Sequence, residues 1–238
     1  MQLKIQIMAK DNEVKADKSI GAVENSLSKA EHFVEQNQKI IMIVVGAIAV
    51  VILGYFGFKK LYLAPKEKEA QGAMFMAEKY FEKDSLKLAL NGDGTNPGFL
   101  DIISDYGMTK SKNLAHYYAG LCYLKQGQFQ DAVDQLKDFS GDDQIVSSMA
   151  KGALGDAYME LGDNDNALKY YLKAADNSKN QFSTPMYLMK AGWTYELMGN
   201  YAEALKVYER IQKEYYQSFE AREIEKYIAR AKGMIAQK

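Results

Sequence analysis

Few side chains in this sequence have the type and spacing to do chemistry. Cys122 is the single cysteine, and His32 and His116 are the two histidines. A nucleophilic Cys–His pair would have to combine Cys122 with one of them. One thiol excludes an internal disulfide and a multi-cysteine metal site, and two imidazoles exclude a three-histidine site. Cys122 adjoins Tyr123 in an apolar helical stretch and reads as a small buried hydrophobe. His116 lies on the same stretch and reads as a structural histidine. The segment from Asn91 to Gly98, NGDGTNPG, has oxygen-bearing side chains like a calcium loop. It lacks the alternating acidic spacing and the closing Glu, so it reads as a turn. The sequence shows no Gly-rich phosphate loop, nucleophile elbow or recognisable catalytic acid pair. No enzymatic activity, cofactor or metal is expected, which leaves binding.

The composition agrees. In 238 residues, 26% are charged and 47% hydrophobic, and the formal net charge is -1. That balance is globular rather than disordered, and it argues against a nucleic-acid partner held by a basic face. With 3 Pro in the whole chain, and Ala, Leu, Lys and Glu abundant, the mixture favours helices.

One segment departs from the globular pattern. Ile40 to Phe58 reads IIMIVVGAIAVVILGYFGF, 19 residues without a charge. At helical rise it spans about 28 Å, close to the hydrocarbon thickness of a bilayer. Lys39 bounds it on one side and Lys59 and Lys60 on the other, with Tyr55, Phe56, Phe58 and Tyr62 gathered at its C-terminal end like an interfacial belt. A core helix of this length would carry a polar face, and a cleaved signal would be followed by a small-residue site that Leu61 to Ala64 do not offer. The expectation is an uncleaved single-pass anchor. Gly46, Gly54 and Gly57 form no GxxxG, so nothing here marks a helix dimer. Before the anchor, residues 1–18 are polar and aperiodic. Ser19 then caps an expected amphipathic lead-in carrying Ile20, Val23, Leu27, Ala30 and Val34. This reads as a solvated lead-in or as a surface helix that contacts a partner.

After the anchor, Pro65 opens a helix with an apolar stripe through Ala70, Ala73, Met74, Ala77, Tyr80 and Phe81. Leu86 to Leu90 and Phe99 to Tyr106 make two short helices around the Asn91–Gly98 turn. From Asn113 the chain repeats itself three times, starting at Asn113, Ser148 and Pro185. Gly120, Gly155 and Gly192 correspond, as do Tyr123, Tyr158 and Tyr195, then Gly127, Gly162 and Gly199, then Ala132, Ala167 and Ala204. The intervals are 35 and 37 residues. Each copy is a helix, a tight turn and a second helix. The first small residue allows close approach, the second Gly ends the first helix in a left-handed conformation, and the Ala sits where the two helices touch. Leu136, Tyr171 and Tyr208 fill the space farther along. Ser218 to Ala236 carries Ala221, Ile224, Ile228, Ala231 and Ile235 on one face, and Arg222, Glu223, Lys226 and Arg230 on the other. It reads as the capping helix that a solenoid needs.

The pattern resembles the tetratricopeptide repeat, best in the middle copy: Leu154-Gly155, Tyr158, Gly162, Ala167, Tyr171 and Ala174. It departs at the usual early aromatic, replaced by His116, Lys151 and Leu188, and at the closing Pro, replaced by Lys179. The fold this implies is all-α: a tetratricopeptide-repeat helical solenoid with one N-terminal transmembrane helix. The expected organisation is a tail with an amphipathic helix over 1–39, the anchor over 40–58, a linker and degenerate helical pair over 59–112, three repeats over 113–217 and a cap over 218–238. The layout also resembles the bacterial single-pass membrane proteins that include the ancillary subunit of the SecYEG translocon. That resemblance implies a bacterial inner-membrane location with the repeats in the periplasm. The lysines nearest the anchor point the other way: Lys29 and Lys39 precede it, and Lys59, Lys60, Lys66 and Lys68 follow it. The periplasmic placement is the expectation.

The resemblance implies binding along the first helix of each repeat. It places Leu114, Tyr117, Leu121, Leu124 and Lys125 there from the first copy. Met149, Gly152, Asp156, Met159 and Glu160 come from the second copy, and Met186, Met189, Trp193, Glu196 and Leu197 from the third. The family's carboxylate clamp needs Lys and Asn where this chain has Tyr117, Gly152 and Met189, then Leu121, Asp156 and Trp193, so a clamp of that kind is not expected. The expected partner groove comprises Tyr117, Leu121, Leu124, Met149, Asp156, Met159, Met186, Met189, Trp193 and Glu196. Adaptable Met and one Trp would accept apolar segments. These Met residues read equally well as core. Asp156, Glu160 and Glu196 would add a negative rim for basic partners. The expected function is a membrane-tethered protein-binding scaffold or chaperone-like adaptor. Its partners would be translocon subunits or envelope or secreted proteins, and a homo-oligomer is compatible with the sequence. The alternative is a structural subunit of an envelope assembly with no client groove.

Overall fold

The uncharged run after Lys39 is helical. The computed structural model describes residues 33–141 and 143–237, so the polar tail and the Ser19-capped lead-in lie, up to residue 32, outside the described residues. Two units are distinct, one ending at Tyr62 and the other beginning at Leu63. In the first, residues 33–57 form α1, and Phe58–Leu63 makes a π-helical turn. An 18-residue window there has a mean hydropathy of 2.7, and none of it is buried. By length and composition it is long and apolar enough to cross a membrane. A Cβ on Gly46, Gly54 or Gly57 would meet nothing within 4 Å.

The second unit is helical throughout its described residues, apart from turns and loops. Its first helix, α2 (Ala64–Glu82), has Pro65 in its first turn and buries Ala70, Met74 and Ala77. Where a repeat would have one second helix, two short ones follow, α3 (Leu86–Asn91) and α4 (Phe99–Asp105). The turn between them is organised by Asp93. Its carboxylate accepts from the backbone N–H of Thr95 (2.8 Å) and Asn96 (2.6 Å) and from the Tyr80 hydroxyl (2.6 Å). Those bonds hold the Asp93 carboxyl below its usual range, the Tyr80 bond contributing most. Phe99 and Ile102 are fully buried with Met74, Ala77 and Cys122.

Three hairpins follow: α5 (Lys110–Lys125) with α6 (Phe129–Asp138), α7 (Gln144–Glu160) with α8 (Asn164–Ser178), and α9 (Ser183–Leu197) with α10 (Tyr201–Glu214). Helix starts are capped by side chains. Thr109 accepts from the Lys112 N–H, Asp143 from Ile145 and Val146, and Asp163 from Asn166. Each first helix ends two residues before a glycine at positive φ: Gly127 at 75°, Gly162 at 76° and Gly199 at 73°. Within each hairpin a glycine receives a large side chain. A Cβ on Gly120 would lie 2.5 Å from Leu136, one on Gly155 2.5 Å from the Tyr171 ring, and one on Gly192 2.2 Å from the Tyr208 ring. Ala132, Ala167 and Ala204 are fully buried at the helix crossings. One core joins the three hairpins and runs on through Ile224, Ile228 and Ala231.

The C-terminal stretch differs from one continuous helix. A 3-10 turn, Glu220–Glu223, precedes α11 (Ile224–Ala236). The Ser218 hydroxyl accepts from the Ala221 N–H at 3.2 Å, and this short-range bond favours the tighter turn over a full α-helical start. The break turns the segment around Phe219, with a consequence for the site below.

Tyr208 is fully buried, and its hydroxyl has no hydrogen-bond partner among the described residues. Burial, reinforced by the Glu196 carboxylate, pushes its phenol well above the usual value. The Glu196 carboxylate and the Arg230 guanidinium lie near the hydroxyl but pair with each other, so Tyr208→Phe removes a polar group that makes no direct hydrogen bond while keeping the ring against Gly192. It is expected to stabilise the domain by about 1 kcal/mol. Thermal unfolding of the full chain followed by circular dichroism checks this; a drop in midpoint would mean that the hydroxyl is satisfied.

Candidate functional site

On α9, Met186, Met189, Trp193 and Leu197 succeed one another at spacings of three or four, so they share a face, with Lys190 beside Met189. They do not share an environment. Met189 is only 5% exposed and belongs to the core, whereas Trp193, one turn on, is 45% exposed. The indole lies at the junction of two cavities. One, of about 380 Å³, is lined by Met159, Tyr171, Lys190, Trp193, Thr194 and Leu197. The other, of about 330 Å³, has Met186 and Met189 on one wall and Phe219 and Tyr227 on the other. The Trp193 and Tyr227 rings lie 6.1 Å apart, tilted by 52°. A third cavity, of about 450 Å³, carries the surface back to the first repeat through Met159, Asp156, Leu124 and Lys125.

The residues singled out from the sequence thus divide. Leu124, Asp156, Met159, Met186 and Trp193 line a connected run of cavities. Met149 is exposed but lines none of these three cavities, and Leu121 is half-buried against the core. Tyr117 is buried among Tyr118 and Phe139, and burial pushes its phenol up to about 12. Gly152 is not open floor. A Cβ there would come within 2.1 Å of the Tyr187 ring, so this glycine lets the third repeat press onto the second.

The expected negative rim is neutralised from within. Lys190 Nζ donates to both Asp156 oxygens, at 2.6 and 2.8 Å, and the Tyr171 hydroxyl donates to Oδ1 at 2.7 Å. Arg230 forms an ion pair with Glu196, its Nε donating to Oε1 at 3.2 Å. With two of the three carboxylates paired, attraction for basic partners is largely spent inside the domain. The surface that remains is apolar and aromatic.

Lys190, Phe219 and Tyr227 were missed in the sequence. Tyr227 interrupts the charged face of the cap and carries Lys226 and Arg230 over its ring, at 5.0 and 5.2 Å. That aromatic among charges was the available signal. Phe219, immediately before the 3-10 turn, lines the same cavity and is 76% exposed. Cys122 is fully buried, and burial pushes its thiol up to about 12, which disfavours the thiolate. His116 is buried, with Nδ1 2.9 Å from Gln135 Oε1.

Residues 146–213 and 114–141 match family models described as tetratricopeptide repeat. The chain is similar to a solved Podosopora anserina putative kinesin light chain with nearly identical TPR-like repeats. The two overlay with a TM-score of 0.52 and 14% identity, over 72% of this chain and 89% of that one. It is also similar to the MamA protein, with a TM-score of 0.49 and 19% identity over 71% and 93% of the two chains. Identities this low speak for the fold alone. No curated protein sequence matches the chain. The repeats and the helical architecture together make this an all-α tetratricopeptide-repeat solenoid, a fold of protein–protein scaffolds.

Proposed function

We propose that this protein is a membrane-tethered adaptor that holds apolar segments of other proteins against the first-helix face of its repeats. The observation that carries the reading is Trp193. The only Trp of the chain is left 45% exposed between two cavities, while Met189 one turn away is buried. A rigid aromatic anchor beside adaptable Met side chains suits varied apolar partners. The run 40–58 serves as a single-pass anchor, confining the face to the membrane surface and raising its effective concentration there. The repeats stand on the periplasmic side of a bacterial inner membrane, and the clients are envelope or secreted proteins, in keeping with the layout this chain resembles. Association with the protein translocon and chaperone-like handling of clients rest on that resemblance.

A photo-crosslinking residue at Leu197 tests the face. In intact membranes it is expected to capture other proteins, while the same residue at Lys206 on α10 is not. Capture from Lys206 with none from Leu197 would instead favour a structural subunit using its outer surface. A reporter that is active only in the periplasm, fused after Lys238, is expected to be active. Activity from a cytoplasm-only reporter would reverse the topology.

A further inference from the structure

The first and second repeats also meet on a cationic face. At about 3.6 residues per turn, Ser147, Lys151 and Leu154 lie on the side of α7 opposite Met149, Asp156 and Met159. A cavity of about 330 Å³ opens there between α6, α7 and α8, with Leu136, Phe139 and Leu154 among its apolar lining and Lys137, Lys151 and Tyr170 beside them. The Tyr158 and Tyr170 rings stack with centroids 5.5 Å apart. Lys137 Nζ sits 5.4 Å over Tyr158 and Lys173 Nζ 5.5 Å over Tyr170. Cations between successive repeats elsewhere have found carboxylates, as Lys190 has with Asp156 and Arg210 with Asp176. Among the described residues, Lys137, Lys151 and Lys173 form no ion pair. Lys151 donates instead to neutral oxygens, Ser147 Oγ and Asn177 Oδ1. Partial burial and the nearby charge of Lys173 lower its pKa. Lys137 is held above the usual lysine value chiefly by the Tyr158 hydroxyl, with a smaller contribution from Asp134, which also accepts from Gln130 at 3.0 Å.

We propose that this cleft is a second docking site, which takes an acidic segment of a partner protein. One carboxylate sits between Lys151 and Lys173, whose charges already act on one another, and a neighbouring apolar side chain rests on Leu136, Phe139 and Leu154. The apolar lining decides between anion sources: a free phosphate would leave it wet, whereas an acidic peptide covers it. The site does not depend on the Trp193 face, since the two lie on opposite sides of α7.

The test uses the full chain in neutral-lipid nanodiscs and a fluorescein-labelled hexapeptide of alternating glutamate and leucine, read by anisotropy. Saturable binding is expected. Lys151→Met and Lys173→Met should each weaken it about tenfold, the loss of one charge-assisted hydrogen bond. Lys87→Met, which removes the same charge from an exposed position on α3, should leave it unchanged. If Lys151→Met fails to fold, the exposed Lys173 carries the test. Binding that is insensitive to both cleft lysines overturns the proposal, as does an equal loss on Lys87→Met. Displacement by inorganic phosphate, where sodium chloride of equal ionic strength displaces nothing, would assign the cleft to phosphate groups and overturn it too.

Discussion

Ala167→Trp is expected to unfold the middle hairpin. Ala167 has no exposed surface, and it sits where α8 crosses α7 beside Gly155, itself filled by the Tyr171 ring. A Cβ on Gly155 would already be 2.5 Å from that ring, so no slack exists for an indole on the adjoining turn. Overpacking by a methylene costs about 1 to 3 kcal/mol, and a whole indole in a closed contact should cost on the order of 3 kcal/mol or more. Because the same core runs from the first repeat to the C-terminal helix, the loss should spread. Thermal or urea unfolding followed by circular dichroism measures it. An unchanged midpoint would count against the pairing of α7 with α8 in this register.

Trp193→Ala should separate binding from folding. Its indole is 45% exposed and touches Tyr227 across an open cavity, so its removal leaves little new void. Partner affinity is expected to fall by roughly 1 to 3 kcal/mol, as for an aromatic anchor, with a small change in stability. Met189→Ala makes the contrast, since that side chain is buried in the core and its truncation should cost about 2 to 5 kcal/mol of stability. Melting and partner capture measured on both variants decide the matter. A stability loss in Trp193→Ala as large as in Met189→Ala would remove Trp193 from any binding surface.

The ion pairs between successive repeats, and between the last repeat and the cap, show where sequence reasoning stopped. Asp156 with Lys190, Asp176 with Arg210 and Glu196 with Arg230 each join residues 34 apart, close to one repeat length. Stacked repeats bring such positions side by side, so opposite charges one repeat apart were a readable signal. Without it, Asp156 and Glu196 looked like a free acidic rim.

The sequence alone determined the hairpins. A left-handed turn needs glycine wherever it occurs, and a close helix crossing needs glycine or alanine. Gly162, Ala167 and their equivalents therefore declare the local geometry before any tertiary contact is known. The apolar run 40–58 is legible for the same reason, since length and absence of charge are properties of the segment itself. Only the tertiary structure decided which side of each helix remained open. Met189 and Trp193 stand one turn apart on α9, and nothing local distinguishes them. Met189 is buried in the core, while Phe219 and Tyr227, on either side of the 3-10 turn at Glu220–Glu223, line the cavity beside an indole that stays partly uncovered. Burial is a property of the neighbours, and those neighbours are set by how the repeats stack and where the last helix breaks.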